Sequence, residues 1–222
     1  MVRLTRVSTV YDCNQANNRA AGLAAAAGSV RSGRLVVLPT DTVYGIGCDA
    51  FDAAAVRSLL EAKGRGPDMP VPVLVGSWTT IDGLVLSVPR QARALIEAFW
   101  PGGLSLVLPH APSLAWDLGQ TRGTVMLRMP LHPVALELLR DVGPMAVSSA
   151  NKSGFPPAAT AEEARDQLGD SVPVYLDGGP SGENVASTIV DLTGPDAVVL
   201  REGAVPIADV SEVLGIEVEV AR

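Results

Sequence analysis

Short apolar runs alternate with amphipathic stretches along the chain, and the two patterns predict strands and helices respectively. Runs of three to five residues rich in Val, Leu and Ile are typical of buried or half-buried strands. They lie at 35–38, 71–75, 104–108, 125–127, 145–147, 172–176, 188–192 and 197–200. Because polar residues, Gly or Pro follow most of these runs, we expect a sheet whose strands end in polar loops.

Helical patterns lie between the runs, and several begin at residues that favour helix starts. Thr160 and Glu163, for example, have the spacing of a capping box. The predicted helices begin at Asn17, Asp52, Pro89, Pro133, Thr160 and Ile207. Strands and helices mix without strict βαβ alternation. This order predicts an α/β chain of the mixed α+β kind, with a twisted mixed sheet and flanking helices.

Composition restricts the class of protein. The 222 residues are 47% hydrophobic and 18% charged, which is typical of a globular chain with a sizeable core. No apolar run is long enough to cross a membrane, and Cys13 and Cys48 form neither a disulfide framework nor a metal motif. We therefore expect a cytoplasmic protein. The net charge of −7 predicts weak or no direct binding of nucleic acid.

The segment from Leu38 to Asp49 is the most informative part of the chain. An apolar strand runs into Pro39, and Thr40, Asp41 and Thr42 then place two hydroxyls and a carboxylate where the sheet stops. Open α/β sheets bind ligands at such strand ends. Gly45 and Gly47 either make a sharp turn or allow a close approach of the backbone. An ordinary polar turn explains the segment equally well.

Lys63 and Arg65 lie two residues apart at a predicted helix end, with glycines around them. Both side chains can converge on one anion in such an adaptable loop. Alternatively, the segment is a helix C-cap with basic residues that answer the helix dipole.

Two further loops are rich in hydroxyls or glycines. Ser148 to Gly154 follows a predicted strand, so it either binds phosphate or a carboxylate, or forms Asx and Ser turns that satisfy the backbone. Asp177 to Gly182 matches neither a Walker A sequence nor a dinucleotide fingerprint, and a flexible connection explains it as well.

Arg128 and Arg201 each end an apolar strand. An arginine in this position pairs with a carboxylate or binds a ligand, and two beside hydroxyl-rich loops favour ligand binding. His110 and His132 are isolated and are expected to be structural. No signature of a catalytic nucleophile appears. Chemistry without a nucleophile suits phosphoryl or nucleotidyl transfer, where positioning and charge neutralisation dominate catalysis.

Together these segments resemble the YrdC/TsaC family of L-threonylcarbamoyladenylate synthases. The matching stretches are LPTDTVYGIGCDA, the Lys63–Arg65 pair, FWPGGLSLVL, VMLRMPLHP, SSANKSG, LDGGPSG with STIVDL, and LREGA. They occur in the family's order. The resemblance implies a YrdC-like domain with an open concave cavity over 12–205, and a short C-terminal helix and tail over 206–222.

The resemblance also implies an activity and a site. The family condenses L-threonine, bicarbonate and ATP to threonylcarbamoyl-AMP and diphosphate, which serves modification of the tRNA adenosine next to the anticodon. The implied threonine-binding residues are Thr42, Arg128 and Ser187. The implied ATP-binding residues are Lys63, Arg65, Thr124, Ser149, Asn151 and Arg201, of which Lys63, Arg65, Ser149 and Asn151 are the catalytic candidates. Mg²⁺ is expected on the phosphates, without a protein metal cage.

Three departures and two alternatives accompany this interpretation. No histidine lies near Gly76, Glu202 follows Arg201 where relatives often have proline, and the C-terminal domain of longer relatives is not expected.

The same fold also suits a non-catalytic, ribosome-associated or RNA-binding module, or a carbamoyl-transfer module like that of HypF. The acidic composition disfavours the former. Without an acylphosphatase or zinc-finger-like segment, the latter is disfavoured too. The expected recipients of the product are the tRNA threonylcarbamoyl-transferase proteins.

Overall fold

The computed structural model describes residues 8–182 and 184–221. The strands in this part are β1 (Thr9–Asp12), β2 (Val36–Leu38), β3 (Gly45–Asp49), β4 (Val73–Leu74), β5 (Leu104–Pro109), β6 (Thr124–Arg128), β7 (Met145–Ser149), β8 (Val174–Asp177), β9 (Thr188–Asp191), β10 (Val198–Arg201) and β11 (Glu219–Val220). The α-helices are α1 (Ala16–Arg31), α2 (Ala53–Lys63), α3 (Arg90–Phe99), α4 (Pro133–Val142), α5 (Ala161–Leu168) and α6 (Ile207–Leu214).

These strands form one mixed sheet in the order β1-β8-β2-β3-β7-β4-β6-β5-β9-β10-β11. The sheet contains parallel pairs, such as β4 with β6 and β5 with β9, and antiparallel pairs, such as β3 with β7 and β5 with β6. Mixed pairing follows from the irregular order of strands and helices in the sequence, so the predicted mixed sheet with flanking helices is confirmed.

Side-chain caps fix the starts of two helices. Asp52 accepts hydrogen bonds from the backbone N–H groups of Ala54 and Ala55 at the start of α2. The Thr160 hydroxyl accepts from the Glu163 N–H at the start of α5, as the capping-box spacing predicts. Gly64 ends α2 in the left-handed conformation, φ 65°, so the predicted C-cap is present.

The core lies on both sides of the sheet. The larger cluster joins the sheet to α2, α3, α5 and α6, and it includes the fully buried Tyr44 and Tyr175. The smaller cluster packs α1 and α4 against β2, β7 and β8. Because buried apolar contacts anchor most of the sheet, polar groups at strand ends are placed by a rigid scaffold.

Three strands were not predicted from the sequence: β1, β3 and β11. The sequence of β3 begins Gly-Ile-Gly-Cys, which indicates a glycine loop and not a strand. In the structure Gly45 and Gly47 pair with β7, and a Cβ on either would come within 3 Å of Val147 side-chain carbons. The two glycines therefore permit a close approach, and a sharp turn is the wrong alternative.

The motif-based division at 205/206 stays a prediction. β1 and β11, which lie at the two ends of the described chain, both hydrogen-bond into the same sheet. In the part of the chain that the structure covers, no helix combines the length and hydropathy needed to cross a membrane.

Candidate functional site

One cavity of about 530 Å³ opens where several strands end. Side chains alternate between the two faces of a strand. In β5 and β6, Ser105, Met126 and Arg128 therefore line the cavity. Their neighbours Leu104, Leu106 and Leu127 point into the core. The cavity wall is formed by Thr40, Thr42, Val43, Tyr44, Gly45, Arg65, Asp68, Met69, Pro70, Pro72, Leu74, Ser105, Met126, Arg128, Val147, Ser148, Ser149, Pro157, Ala186, Ser187, Ile189 and Arg201. The wall thus combines three guanidinium groups with several hydroxyls, a chemistry suited to anions.

The threonine hydroxyls after β2 are oriented by their hydrogen bonds. The Thr40 hydroxyl donates to the Val43 carbonyl at 2.6 Å, so its oxygen is left to accept from Thr42, 3.1 Å away. The Thr42 oxygen also accepts from Arg128 Nη1 at 2.7 Å. With its proton used by Thr40, the Thr42 oxygen presents a remaining lone pair to the cavity.

Arg128, at the end of β6, is fixed by three acceptors. Its Nε donates to the Gly102 carbonyl at 2.9 Å, and its Nη2 donates to Asp41 Oδ1 at 2.5 Å. Asp41 accepts a further bond from the Leu131 N–H. Burial lowers the pKa of the Arg128 guanidinium, and the Asp41 carboxylate opposes that effect. The sequence allowed this strand-end arginine either to pair with a carboxylate or to bind a ligand. The carboxylate pair is present, and the guanidinium also lines the cavity.

Arg201, at the end of β10, is held by a backbone oxygen. Its Nε and Nη2 donate to the Ser187 carbonyl at 3.1 and 2.7 Å, and Nη2 lies 3.3 Å from Ser187 Oγ. Thr188, fully buried, fastens the neighbouring loop by donating to the Val205 carbonyl and accepting from the Gly203 N–H. Burial lowers the pKa of Arg201 as well.

Arg65 reaches the cavity from the loop after α2. Its Nη1 lies 3.4 Å from Ser148 Oγ, a long contact, and its Nε is buried without a partner among the described residues. Burial lowers the pKa of Arg65, and the Asp68 carboxylate opposes that effect. Ser149 lines the same wall. An arginine with unused donors beside two serine hydroxyls is suited to bind oxyanions.

Lys63 lies behind this wall and does not line it. The side chain is 3% exposed, and its ammonium donates to the carbonyls of Ser149 and Asn151 and to Asn151 Oδ1. The Asn151 amide in turn donates to the Phe155 carbonyl at 2.7 Å. Burial, and to a lesser extent the charge of Arg65, lowers the pKa of Lys63 to about 8. Lys63 and Asn151 therefore fix the turn that carries Ser149.

The structure brings six of the nine predicted binding residues to the cavity wall. They are Thr42, Arg65, Arg128, Ser149, Ser187 and Arg201. Lys63 and Asn151 stand directly behind it. Thr124 shares the face of Met126 by strand alternation, but its hydroxyl donates to the Thr121 carbonyl and does not line the cavity.

Among the hydrophilic side chains of the cavity wall, two were missed by sequence reasoning. Ser105 lies inside an apolar run, and Asp68 follows the basic loop. A polar residue in the interior of an apolar strand was the available signal for Ser105. Asp177 to Gly182 stays outside the cavity wall, where Asp177 Oδ1 accepts from the Gly179 N–H to form a turn.

The two histidines lie away from the cavity wall. His110 Nδ1 lies 3.0 Å from the Ala111 carbonyl, and the ring meets Trp116 edge-on. The Nδ1 atom of His132 is buried without a partner among the described residues, and burial lowers the pKa of the ring. Neither histidine joins the ring of arginines and hydroxyls.

Comparison with known proteins gives concordant results. A family model for the Sua5, YciO and YrdC domain, described as "Telomere recombination", matches residues 29–203. A Mycobacterium tuberculosis protein named "Putative threonylcarbamoyl-AMP synthase" is 64% identical over 211 residues, which cover 95% of this chain and 97% of that protein. Threonylcarbamoyl-AMP synthase of Pyrococcus abyssi is 38% identical over 191 residues, covering 86% of this chain and 56% of its own.

Solved structures give the same result. P. abyssi Sua5 complexed with L-threonine superposes with a TM-score of 0.86 at 37% identity, covering 90% of this chain and 58% of that one. E. coli YciO superposes with a TM-score of 0.77 at 25% identity, covering 90% and 96%. The chain thus spans little more than half of the P. abyssi proteins it matches. On the family model and these identities, the chain belongs to the Sua5/YciO/YrdC family.

Proposed function

We propose that the protein is an L-threonylcarbamoyladenylate synthase, a nucleotidyltransferase that joins L-threonine, bicarbonate and ATP. The observation that carries the proposal is one cavity lined by two differently built arginine corners, which meet where Arg201 contacts Ser187. Arg128, Thr42 and Ser187 form the threonine corner. Arg65, Ser149 and Arg201 form the ATP corner. Relatives that share 64% and 38% identity bear the matching name.

The threonine corner suits an amino acid. Arg128 keeps N–H donors that its three protein acceptors do not use, and these suit a carboxylate. The Thr42 oxygen presents an acceptor, which suits the substrate hydroxyl or amine. Because Asp41 already balances the charge of Arg128, the corner suits a ligand of low net charge.

The ATP corner suits a polyanion. Arg65 and Arg201 form no salt bridge within the residues that the structure describes, although the Asp68 carboxylate acts on Arg65. Two guanidinium groups against one carboxylate leave this corner a net positive charge that can neutralise phosphates. Lys63 and Asn151 support Ser149 from behind, and Thr124 stays a more distant candidate of this set. Positioning and charge neutralisation of this kind supply most of the catalysis in phosphoryl-group chemistry.

The reaction needs no protein nucleophile. Bicarbonate supplies carbon dioxide by losing hydroxide, and the neutral threonine amine adds to the carbon dioxide. The hydroxide takes the proton that the amine loses, giving a carbamate and water. A carbamate oxygen then bonds to the α-phosphorus as the bond to the β-phosphate bridging oxygen breaks, and diphosphate leaves with that electron pair. A partly enclosed cavity limits water and protects the labile carbamate. Mg²⁺ would neutralise phosphate charge, held by phosphate oxygens and water, with Asp68 the carboxylate that the cavity wall offers.

We further propose that the product serves tRNA modification through the threonylcarbamoyl-transferase proteins, and that the synthase is cytoplasmic. Direct RNA binding is proposed to be weak and salt-sensitive because the chain carries a net charge of −7. An RNA-binding module without catalysis is the alternative. RNA binding that survives a several-fold rise in salt and is not displaced by ATP would favour that alternative.

The decisive experiment measures diphosphate release from ATP with the purified protein. We expect release only when threonine and bicarbonate are both present, together with formation of threonylcarbamoyl-AMP detected by mass spectrometry. Valine is expected to be a poor substrate, because it lacks the hydroxyl that the polar groups of the threonine corner can hydrogen-bond. Diphosphate release that is independent of threonine would contradict the proposal.

A further inference from the structure

A pair of serine hydroxyls lies in the cavity where β5 meets the start of β9. Ser105 Oγ and Ser187 Oγ are 2.9 Å apart, and the two residues are 3% and 8% exposed. The flanking residues Leu104 and Leu106 point into the core, whereas Ser105 faces the cavity. A buried polar side chain in an apolar strand has a cost unless its hydrogen bonds are made.

Either hydroxyl of the pair can be the donor, and both residues line the cavity wall. When Ser105 donates, its proton is satisfied by Ser187 Oγ, the partner that the described residues supply. Arg201 Nη2 approaches the same Ser187 oxygen at 3.3 Å. In this arrangement the Ser187 oxygen accepts from two donors, and its own proton points into the cavity.

We propose that Ser105 is a positioning residue for threonine binding, which acts by fixing the Ser187 hydroxyl as a donor toward an oxygen of the bound amino acid. This inference rests on the proposed function and on the threonine role of Ser187. It assigns the cavity its complementary groups: Thr42 accepts on one side, and Ser187 donates on the other.

When the Ser105 hydroxyl is removed, the Ser187 oxygen loses one of its two donors. The Ser187 hydroxyl can then rotate and donate its proton to other acceptors. For Ser105→Ala we expect KM for threonine to rise about three- to tenfold, the range of one ordinary hydrogen bond, while KM for ATP changes less than twofold. Ser105→Cys keeps the shape with a weak donor and is expected to give an intermediate KM. Ser105→Thr keeps the hydroxyl and is expected to stay near the wild-type value.

A double-mutant cycle separates positioning from a simple packing role. If Ser105 acts through Ser187, the Ser105→Ala/Ser187→Ala double variant has the same KM for threonine as Ser187→Ala alone. The matched control is Ser29→Ala, which removes a buried serine hydroxyl whose partner, the Leu35 carbonyl, is remote from the cavity wall. This control should lose stability without a change in either KM.

The outcomes distinguish this inference from the proposed function. Wild-type activity with an unchanged threonine KM in Ser105→Ala and Ser105→Cys, or additive effects in the double variant, would overturn the inference alone. If the wild type made no threonylcarbamoyl-AMP, calorimetric titration with L-threonine would take the place of KM in the same variants. A wild type that neither reacts with nor binds threonine would overturn both proposals.

Discussion

Arg128 and Arg201 occupy equivalent places, each the last residue of a strand and each on the wall of the same cavity, yet they are held differently. Arg128 is 7% exposed and forms an ion pair with Asp41. Arg201 is more exposed and donates to the neutral Ser187 carbonyl. A carboxylate therefore balances the positive charge of Arg128 and holds its side chain rigidly. The positive charge of Arg201 is not balanced by a salt bridge within the described residues.

The contrast between these two arginines shows how one cavity can discriminate between two ligands that both carry negatively charged oxygens. A compensated arginine supplies directed donors with little net field, which suits an amino acid. An uncompensated arginine, supported by Arg65, supplies the net positive charge that a triphosphate needs. Charge balance around each arginine, and not residue type alone, assigns the two corners.

Loss of Arg128 should have the largest effect. Arg128→Met keeps the aliphatic stem but leaves Asp41 without its partner in a largely buried place. We expect the free energy of unfolding to fall by about 3 kcal/mol and threonine binding to weaken at least about hundredfold. Chemical denaturation and threonine titration measure the two effects. The variant pair Asp41→Asn/Arg128→Met should recover part of the stability but not the binding, and recovery of both would contradict a role in substrate binding.

Loss of Arg201 or Arg65 should have a smaller effect, confined to ATP. Arg201→Met and Arg65→Met remove donors that form no ion pair with the described residues, so stability should change little. We expect KM for ATP to rise about ten- to hundredfold in both variants. KM for threonine should stay nearly constant in Arg65→Met and rise by no more than about threefold in Arg201→Met, which also loses the contacts to Ser187. Arg140→Met, which alters an exposed arginine outside this cavity, is the matched control. Equal losses for threonine and ATP would remove the distinction between the corners.

Titration of Lys63 should lower activity above pH 8 without unfolding the protein. The pKa of Lys63 is lowered to about 8 in the folded state, and a neutral amine can no longer donate to all three of its acceptors. Because the folded pKa lies below the unfolded value of about 10.4, deprotonation between these values increases stability.

The ratio of wild-type to Lys63→Met activity corrects for titration of the substrates. We expect this ratio to decline by up to about tenfold as the pH rises from about 7 to 9. A ratio that is constant over this range would show that the charge of Lys63 is not needed to hold the Ser149 turn.

Ionic strength should produce the smallest effect. The exposed, uncompensated Arg201 is screened by salt, whereas the buried Arg128–Asp41 pair is not. Between about 50 and 300 mM potassium chloride we expect KM for ATP to rise a few-fold and KM for threonine to stay within twofold. The opposite order would contradict the assignment of the corners.

Local sequence rules predicted much of the scaffold. Apolar runs located β2, β4 to β10 and the polar loops after them, and Asp52, Thr160 and Gly64 mark helix ends that the structure reproduces. β3 was missed because its glycines disfavour strands locally. Its stability comes from pairing with β2 and β7, which lie far apart in sequence.

Local sequence patterns specify which residue types stand at strand ends, because periodicity and turn chemistry act over a few neighbouring residues. Which partner each side chain contacts depends instead on the packed fold. Asp41 reaches Arg128, Lys63 turns inward to the Asn151 carbonyl, and Ser105 meets Ser187. These contacts span tens of residues, and packing of the whole sheet fixes them. A charged residue therefore becomes a ligand-binding group or an internal support according to the acceptors that the fold brings within reach.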